Sequence, residues 1–161
     1  MTSDGVNTYT YDGANRLIAV NGQSSSTSYA YDGLGDRLQQ TVGGQTTTYT
    51  LDINAALAQV LSDGTATYLY GVDQIAQQNG TDTEYYLGDD LNSVRQLTNS
   101  VGDVTLARAY DPYGNTILAV GNEQTAFGYT GEYTDSTGMA TTPIRKLPNL
   151  WTPTQSLHPY R

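Results

Sequence analysis

The chain has 161 residues and a formal net charge of −9, with only 7 Lys and Arg, one His and no Cys. That length fits one domain or part of one, and so few cations leave no basic stripe to track phosphates, which argues against nucleic-acid binding. The lack of Cys excludes disulfides and thiolate metal sites, and a single imidazole excludes a cluster of His ligands.

No stretch approaches the ~20 apolar residues of a spanning helix; the longest mostly apolar run is 53–61. Met1-Thr2-Ser3-Asp4 has neither the positive start nor the apolar stretch of a secretory signal. Tyr, numbering 14, and abundant Thr suit pleated surfaces, where β-branched and aromatic side chains pack well. Gly, Asn and Asp recur too often for long helices. The expectation is an all-β fold up to residue 138.

The first element alternates, with Tyr9 and Tyr11 on one face and Thr8 and Thr10 on the other. Asp12-Gly13 breaks it, because Gly admits positive φ and Asp bonds its own backbone. A second strand follows from Arg16 to Val20, and Asn21-Gly22 turns into the next unit. The pattern returns as Tyr29, Tyr31, Asp32-Gly33 and a strand from Arg37 to Val42, closed by Gly43-Gly44. Weaker copies follow at Tyr49-Thr50-Leu51-Asp52, with a looser strand from Ala58 to Leu61, and at Tyr68-Leu69-Tyr70-Gly71 after Asp63-Gly64. Later units are Tyr85-Tyr86-Leu87-Gly88-Asp89, Tyr110-Asp111-Pro112-Tyr113-Gly114 and Phe127-Gly128-Tyr129-Thr130-Gly131. Anchors at 11, 31, 51, 70, 87, 110 and 129 are separated by 20, 20, 19, 17, 23 and 19 residues. This repeat of about twenty residues predicts antiparallel β-hairpins, six or seven in number, forming a curved open sheet. Equivalent rings should line up in two rows, Tyr9, Tyr29, Tyr49, Tyr68 and Tyr11, Tyr31, Leu51, Tyr70, where aromatic contacts add roughly 0.5–1.5 kcal/mol each.

The Tyr-Asp-Gly units at 11–17 and 31–38, with Arg16 and Arg37, resemble the YD repeats of RHS proteins. The run from Tyr85 through Leu87, Gly88 and Arg95 to Thr98 resembles the start of the RHS-associated core. Tyr110-Asp111-Pro112-Tyr113-Gly114 and Phe127-Gly128-Tyr129-Thr130-Gly131-Glu132 resemble its later elements. The resemblance covers about residues 5–138. It divides the chain into YD repeats at 1–84, a partial core at 85–138 and a divergent tail at 139–161. What it implies is a segment of a hollow RHS/YD shell from a large secreted or cell-surface bacterial protein. Such shells enclose a C-terminal toxin or mediate surface contact, and many members release the effector by self-cleavage. The implied partners are neighbouring RHS hairpins or a C-terminal effector. An isolated segment, with open sheet edges, should self-associate.

The chain departs from that pattern near Met139. Residues 139–161 hold four of the five Pro, the only Trp and His, and three basic residues without an acid. Four Pro preclude regular ladders or helices there, so this tail should be irregular. It reads as the product of truncation or a frame change, as the start of a variable C-terminal segment, or as a partner-binding peptide around Trp151 and Pro153. The family's terminal cleavage motif is missing, so self-processing is not expected.

No residue pattern points to catalysis, a cofactor or a metal. Asp89-Asp90 is the only adjacent acidic pair, and adjacent strand residues face opposite ways. His158 has no nucleophile elbow to serve, and Gly33-Leu34-Gly35 lacks the third glycine of a dinucleotide loop. Asp32 and Asp36 alone are weak calcium ligands, and Asn79-Gly80-Thr81 reads as a turn rather than a glycan acceptor. Arg16, Arg37, Arg95 and Arg108 sit near Asp12, Asp36, Asp89 and Asp111, where surface pairing is expected, worth at most about 1 kcal/mol. Exposed Tyr rows beside Asn and Asp are the one feature suited to ligands, namely glycans.

Overall fold

The computed structural model describes residues 2–22, 25–55 and 58–137. The tail at 139–161 lies outside the described residues. The rest is antiparallel β-structure in two open sheets. The first sheet holds β1 (Thr8–Tyr11), β2 (Leu17–Asn21), β3 (Ser26–Tyr31), β4 (Arg37–Val42) and β5 (Gln45–Thr48), in chain order. The second holds β6 (Thr50–Asp52), β7 (Gln59–Ser62), β8 (Ala66–Tyr70), β9 (Gln74–Asn79), β10 (Asp82–Gly88), β11 (Val94–Thr98), β12 (Val104–Tyr110) and β13 (Thr116–Gly121), also in chain order. β5 and β6 are two halves of one extended segment that changes sheets at Tyr49, whose N–H still bonds Leu38 O at 2.8 Å. Counted this way, the described strands make six hairpins in a single meander.

A five-residue turn closes most hairpins. Asp12 Oδ1 accepts the N–H groups of Ala14 and Arg16, while the Asp12 N–H bonds Arg16 O. Asp32, Asp89, Asn99 and Asp111 repeat the arrangement with the residues two and four positions on. An Asx side chain thus replaces the backbone partners that the chain reversal removes. The positive φ falls three residues after the Asx, at Asn15 (61°), Gly35 (100°), Asn92 (63°), Gly102 (92°) and Gly114 (88°). This corrects the expectation for Gly13 and Gly33, which lie at the second position and do not need the left-handed region. The Gly43-Gly44 turn does use it, at 57° and 87°.

The last repeat unit differs from expectation more strongly. Residues 123–137 form no hairpin: apart from one bridge between Phe127 and Tyr133 and a tight turn at Tyr129–Gly131, they run irregularly across one sheet face. They supply the centre of the core. Phe127 and Tyr133 are buried with Tyr49, Ala66, Tyr68, Val94, Leu97 and Leu106. An antiparallel sheet must cover one face, and here this C-terminal segment is the cover.

Candidate functional site

The covered face is where Tyr49, Tyr68 and Tyr70 meet, whereas Asp12, Asp32 and Asp111 lie in the turns at the hairpin ends. Of the first row, Tyr29, Tyr49 and Tyr68 are buried and Tyr9 is half-buried. Tyr49 and Tyr68, however, do not stack on each other. Both meet Tyr133 edge-on, at 5.8 and 6.1 Å, and Phe127 gathers Tyr68, Tyr70, Tyr86 and Tyr133 at 4.9, 6.1, 5.8 and 5.5 Å. β7 lies between the segment of Tyr49 and β8 of Tyr68, and the Tyr133 ring completes the edge-to-face geometry between them.

The second row has a different task. Tyr31 donates its hydroxyl to Leu17 O, Tyr70 to Val60 O and Tyr110 to Val94 O, at 2.7, 2.9 and 3.0 Å. In each case the tyrosine that ends one hairpin's first strand reaches the second strand of the hairpin before it. Arginines reinforce the seam: Arg16 lies over Tyr31 and Arg95 over Tyr110, and Arg16 Nη1 also bonds Asp32 O. Leu51 stands where this row lacks a hydroxyl, and Tyr11, at the first hairpin, is exposed. Tyr9 turns to Asp4, donating to Oδ2 at 2.7 Å.

The ion pairs follow the expected partners only in part. Arg16 pairs with Asp12 at 2.7 Å and Arg95 with Asp89 at 3.9 Å. Arg37 bypasses Asp36, stacks over Tyr29 and meets the fully buried Asp135 carboxylate at 2.7 Å. Arg108 bonds Phe127 O rather than Asp111. The Asp12, Asp32 and Asp89 carboxyls sit below the usual carboxylate range chiefly because backbone N–H groups of the turn donate to them. Asp111 does so chiefly through the Asn115 side chain. Asp36, lacking such donors, is raised by burial and by the Asp32 charge.

Buried polar groups pin the covering segment at several points. Burial opposes ionisation of Asp63, yet its pKa is lowered, because Thr65 N–H, Ala66 N–H and the Tyr68 and Tyr133 hydroxyls all donate to it. Gln77 accepts from Tyr86 and donates to Gln124 O, and Gln40 accepts from Tyr49. Gln74 donates to Gly131 O, and Thr130 N–H to Ser93 Oγ. Gly131 packs so closely on Asn92 that a Cβ there would lie 2.7 Å from its side chain. Near Pro112, whose carbonyl accepts from the Tyr129 hydroxyl, Gly114 leaves room for the Tyr129 ring. Leu87 and Gly88 end β10 at the surface beside the Asp89 turn. Gly80-Thr81 forms the turn between β9 and β10, with Asn79 paired to Asp82 across it.

The sequence pattern gives Asp63 only as a turn residue beside Gly64 and assigns no role to Tyr133 or Asp135. A signal for Asp63 exists: Ser3-Asp4-Gly5 and Ser62-Asp63-Gly64 each precede, by the same spacing, a tyrosine that bonds the Asp, Tyr9 and Tyr68. A cavity of about 290 Å³ lies between this face and the segment, lined by Gln40, Tyr49, Asp63, Asn79 and Ser136 among others. Gln40 Oε1, Asp63 and the Tyr49, Tyr68 and Tyr133 hydroxyls in its lining are committed to hydrogen bonds, whereas the buried Gln40 Nε2 has no partner among the described residues. Among the described residues, no group of three or more His, Cys, Asp or Glu is placed to hold a metal ion.

With this geometry in view, comparison with known proteins gives a consistent result. No protein-family model matches the chain. It is 28% identical over 151 residues to the tRNA3(Ser)-specific nuclease WapA of Bacillus spizizenii, and 27% identical over 151 residues to the tRNA nuclease WapA of Bacillus subtilis. Each match takes in 86% of this chain but only 6% of the relative's length. The fold resembles part of a chain in the Photorhabdus luminescens Tc holotoxin pore, with TM-score 0.65, 17% identity, and coverage of 88% of this chain and 8% of that one. It also resembles part of a chain in the TcdB2–TccC3 crystal structure lacking the hypervariable C-terminal region, with TM-score 0.63, 18% identity, and coverage of 83% and 8%. The chain therefore shares its meander of hairpins with small parts of much larger toxin-related proteins.

Proposed function

We propose that the chain is a non-catalytic wall segment of an RHS/YD-repeat shell, in which residues 1–84 supply YD hairpins and 85–138 part of the RHS-associated core. The observation that carries this reading is the seam bond repeated at Tyr31, Tyr70 and Tyr110. One chemical contact used at three of the five hairpin junctions is the mark of a repeat architecture, in which each unit is completed by its neighbour. The seam tyrosines, Arg16 and Arg37 and the turn aspartates are engaged in holding the hairpins and the covering segment together. The small share of the nuclease relatives that the chain matches fits a structural portion of a long protein. In this reading the parent protein is secreted or displayed at the cell surface, and its shell shelters an effector.

The burial of Tyr29, Tyr49 and Tyr68 favours the wall over a carbohydrate-binding module, because the rows present no aromatic platform to a sugar. The test has two arms. Purified chain incubated with total tRNA should leave both the tRNA and its own intact mass unchanged; cleavage of either overturns the reading. Exchanging the matched 151 residues of the Bacillus subtilis relative for this chain should preserve that protein's resistance to limited proteolysis. A chimera digested throughout overturns the reading as well.

A further inference from the structure

The junctions between hairpins obey one register. Ser28 lies opposite Ala19, Thr67 opposite Ser62 and Ala107 opposite Gln96. In each case the residue three before the seam tyrosine faces the residue two after the carbonyl that this tyrosine bonds. Gln39 opposite Thr48 keeps the same offset, although Leu51 replaces the tyrosine. β2, β4, β7, β9 and β11 each pair outward with the strand that follows, but among the described residues β13 pairs only with β12. All six of its residues are exposed, with Ile117 at 68%, Leu118 at 56% and Val120 at 59%. Thr116–Gly121 also contains no Lys, Arg or Pro, the residues that commonly guard an open edge.

We propose that the β13 edge is a docking site for one kind of partner: an extended strand ending in a seam tyrosine, with a small residue (Ser, Thr or Ala) three positions before it. Its tyrosine hydroxyl donates to Thr116 O, and its residue three positions earlier lies opposite Leu118. Thr116 stands five residues after the turn Asp111, as Leu17 does after Asp12 and Val94 after Asp89, which identifies the carbonyl. The contact continues the interface already repeated along the ribbon, using main-chain hydrogen bonds for affinity and the tyrosine for register. This inference rests on the repeat-wall reading for the kind of partner, but not on any role in sheltering an effector.

The probe is a synthetic peptide of residues 25–33, which carries the β3 pattern. Titrated to about 1 mM into the full chain, it should give saturable amide shifts confined to β12 and β13. Replacing the peptide's Tyr31 with Phe should weaken binding about fivefold. The chain has no Cys, so a Leu118→Cys chain and a Ser28→Cys peptide form a clean disulfide pair. It should cross-link at least about ten times faster than a Val120→Cys chain does. Both positions are exposed, so folding is not at stake. Absence of saturable binding, cross-linking without preference for position 118, or peptide exclusion because β13 pairs with β13 of a second copy overturns the proposal. Each leaves the wall reading standing, since that reading fails on tRNA cleavage or on a digested chimera.

Discussion

Arg37 and Asp135 meet at 2.7 Å although 98 residues separate them, and the pair joins the first sheet to the segment that covers the second. Arg37 lies on β4, beside the point where the chain changes sheets, and its ring partner Tyr29 lies on β3. Asp135 is fully buried and also accepts the Thr137 N–H at 2.9 Å. Removing one member of such a pair strands the other charge, which costs about 3–5 kcal/mol. Arg37→Met and Asp135→Asn should each lower the stability measured by urea unfolding by that order. The double variant should lose clearly less than the sum of the two. Additive losses would mean that the two side chains are not coupled.

Phe127 should be the most sensitive single position in the covering segment. It touches four tyrosine rings from β8, β10 and its own segment, and it is almost fully buried. Phe127→Ala removes the transfer energy of the ring and leaves a cavity, together costing about 3–5 kcal/mol. Tyr113 is also aromatic and part of a repeat motif, but it is 89% exposed. Tyr113→Ala should therefore change stability by no more than about 0.5 kcal/mol. Similar losses at both sites in thermal unfolding would contradict the placement of the core.

The turn geometry separates glycines that look equivalent in sequence. Gly33 has ordinary φ and open space where a Cβ would stand, so Gly33→Ala should be neutral or stabilise by up to about 1 kcal/mol. Gly35 has equal space but a φ of 100°, so Gly35→Ala should cost about 1–2 kcal/mol. Gly114→Ala should cost more, because φ is 88° and the new Cβ would lie 2.8 Å from the Tyr129 ring. Urea midpoints of the three variants give the order directly. A Gly33 variant weaker than the Gly35 variant would refute the assignment.

These contrasts mark how far the sequence is legible. Period-two alternation and Asx-Gly punctuation locate the strands because both act locally; the strand from Arg37 to Val42 emerges with the same bounds. The Tyr rows are legible as a face, since Tyr29, Tyr49 and Tyr68 are all buried. What the pattern does not carry is the partner across that face. Phe127-Gly128-Tyr129 keeps the spacing of a repeat unit, yet the chain there must leave the ladder to cover the sheet. Nothing local distinguishes a ring stacked in a row from a ring inserted between rows. Asp135 is a similar case. An aspartate in a Tyr-Thr-Asp-Ser-Thr run looks like a surface loop residue until Arg37 is brought to it by tertiary packing.

Alkaline pH should unfold the protein through the same face. Burial pushes the Tyr49 hydroxyl up to about 12. Burial likewise raises Tyr68, Tyr70, Tyr86 and Tyr133, and the Asp63 carboxylate adds to the shift at Tyr68 and Tyr133. Each group's folded pKa lies above its unfolded value near 10. The stability it contributes is thus fully present below about pH 10 and is lost as pH rises from there through the folded value. Each tyrosine that ionises only on unfolding steepens the decline by up to about 1.4 kcal/mol per pH unit. Urea midpoints should be flat between about pH 7 and 9 and fall steeply above about 10. Tyrosinate absorbance from the buried rings should appear together with unfolding, not before it. Tyr68→Phe should make the fall shallower, while Tyr113→Phe, at an exposed position, should leave it unchanged. If all tyrosines titrate near pH 10 while the fold persists, the rings do not occupy the buried face described here.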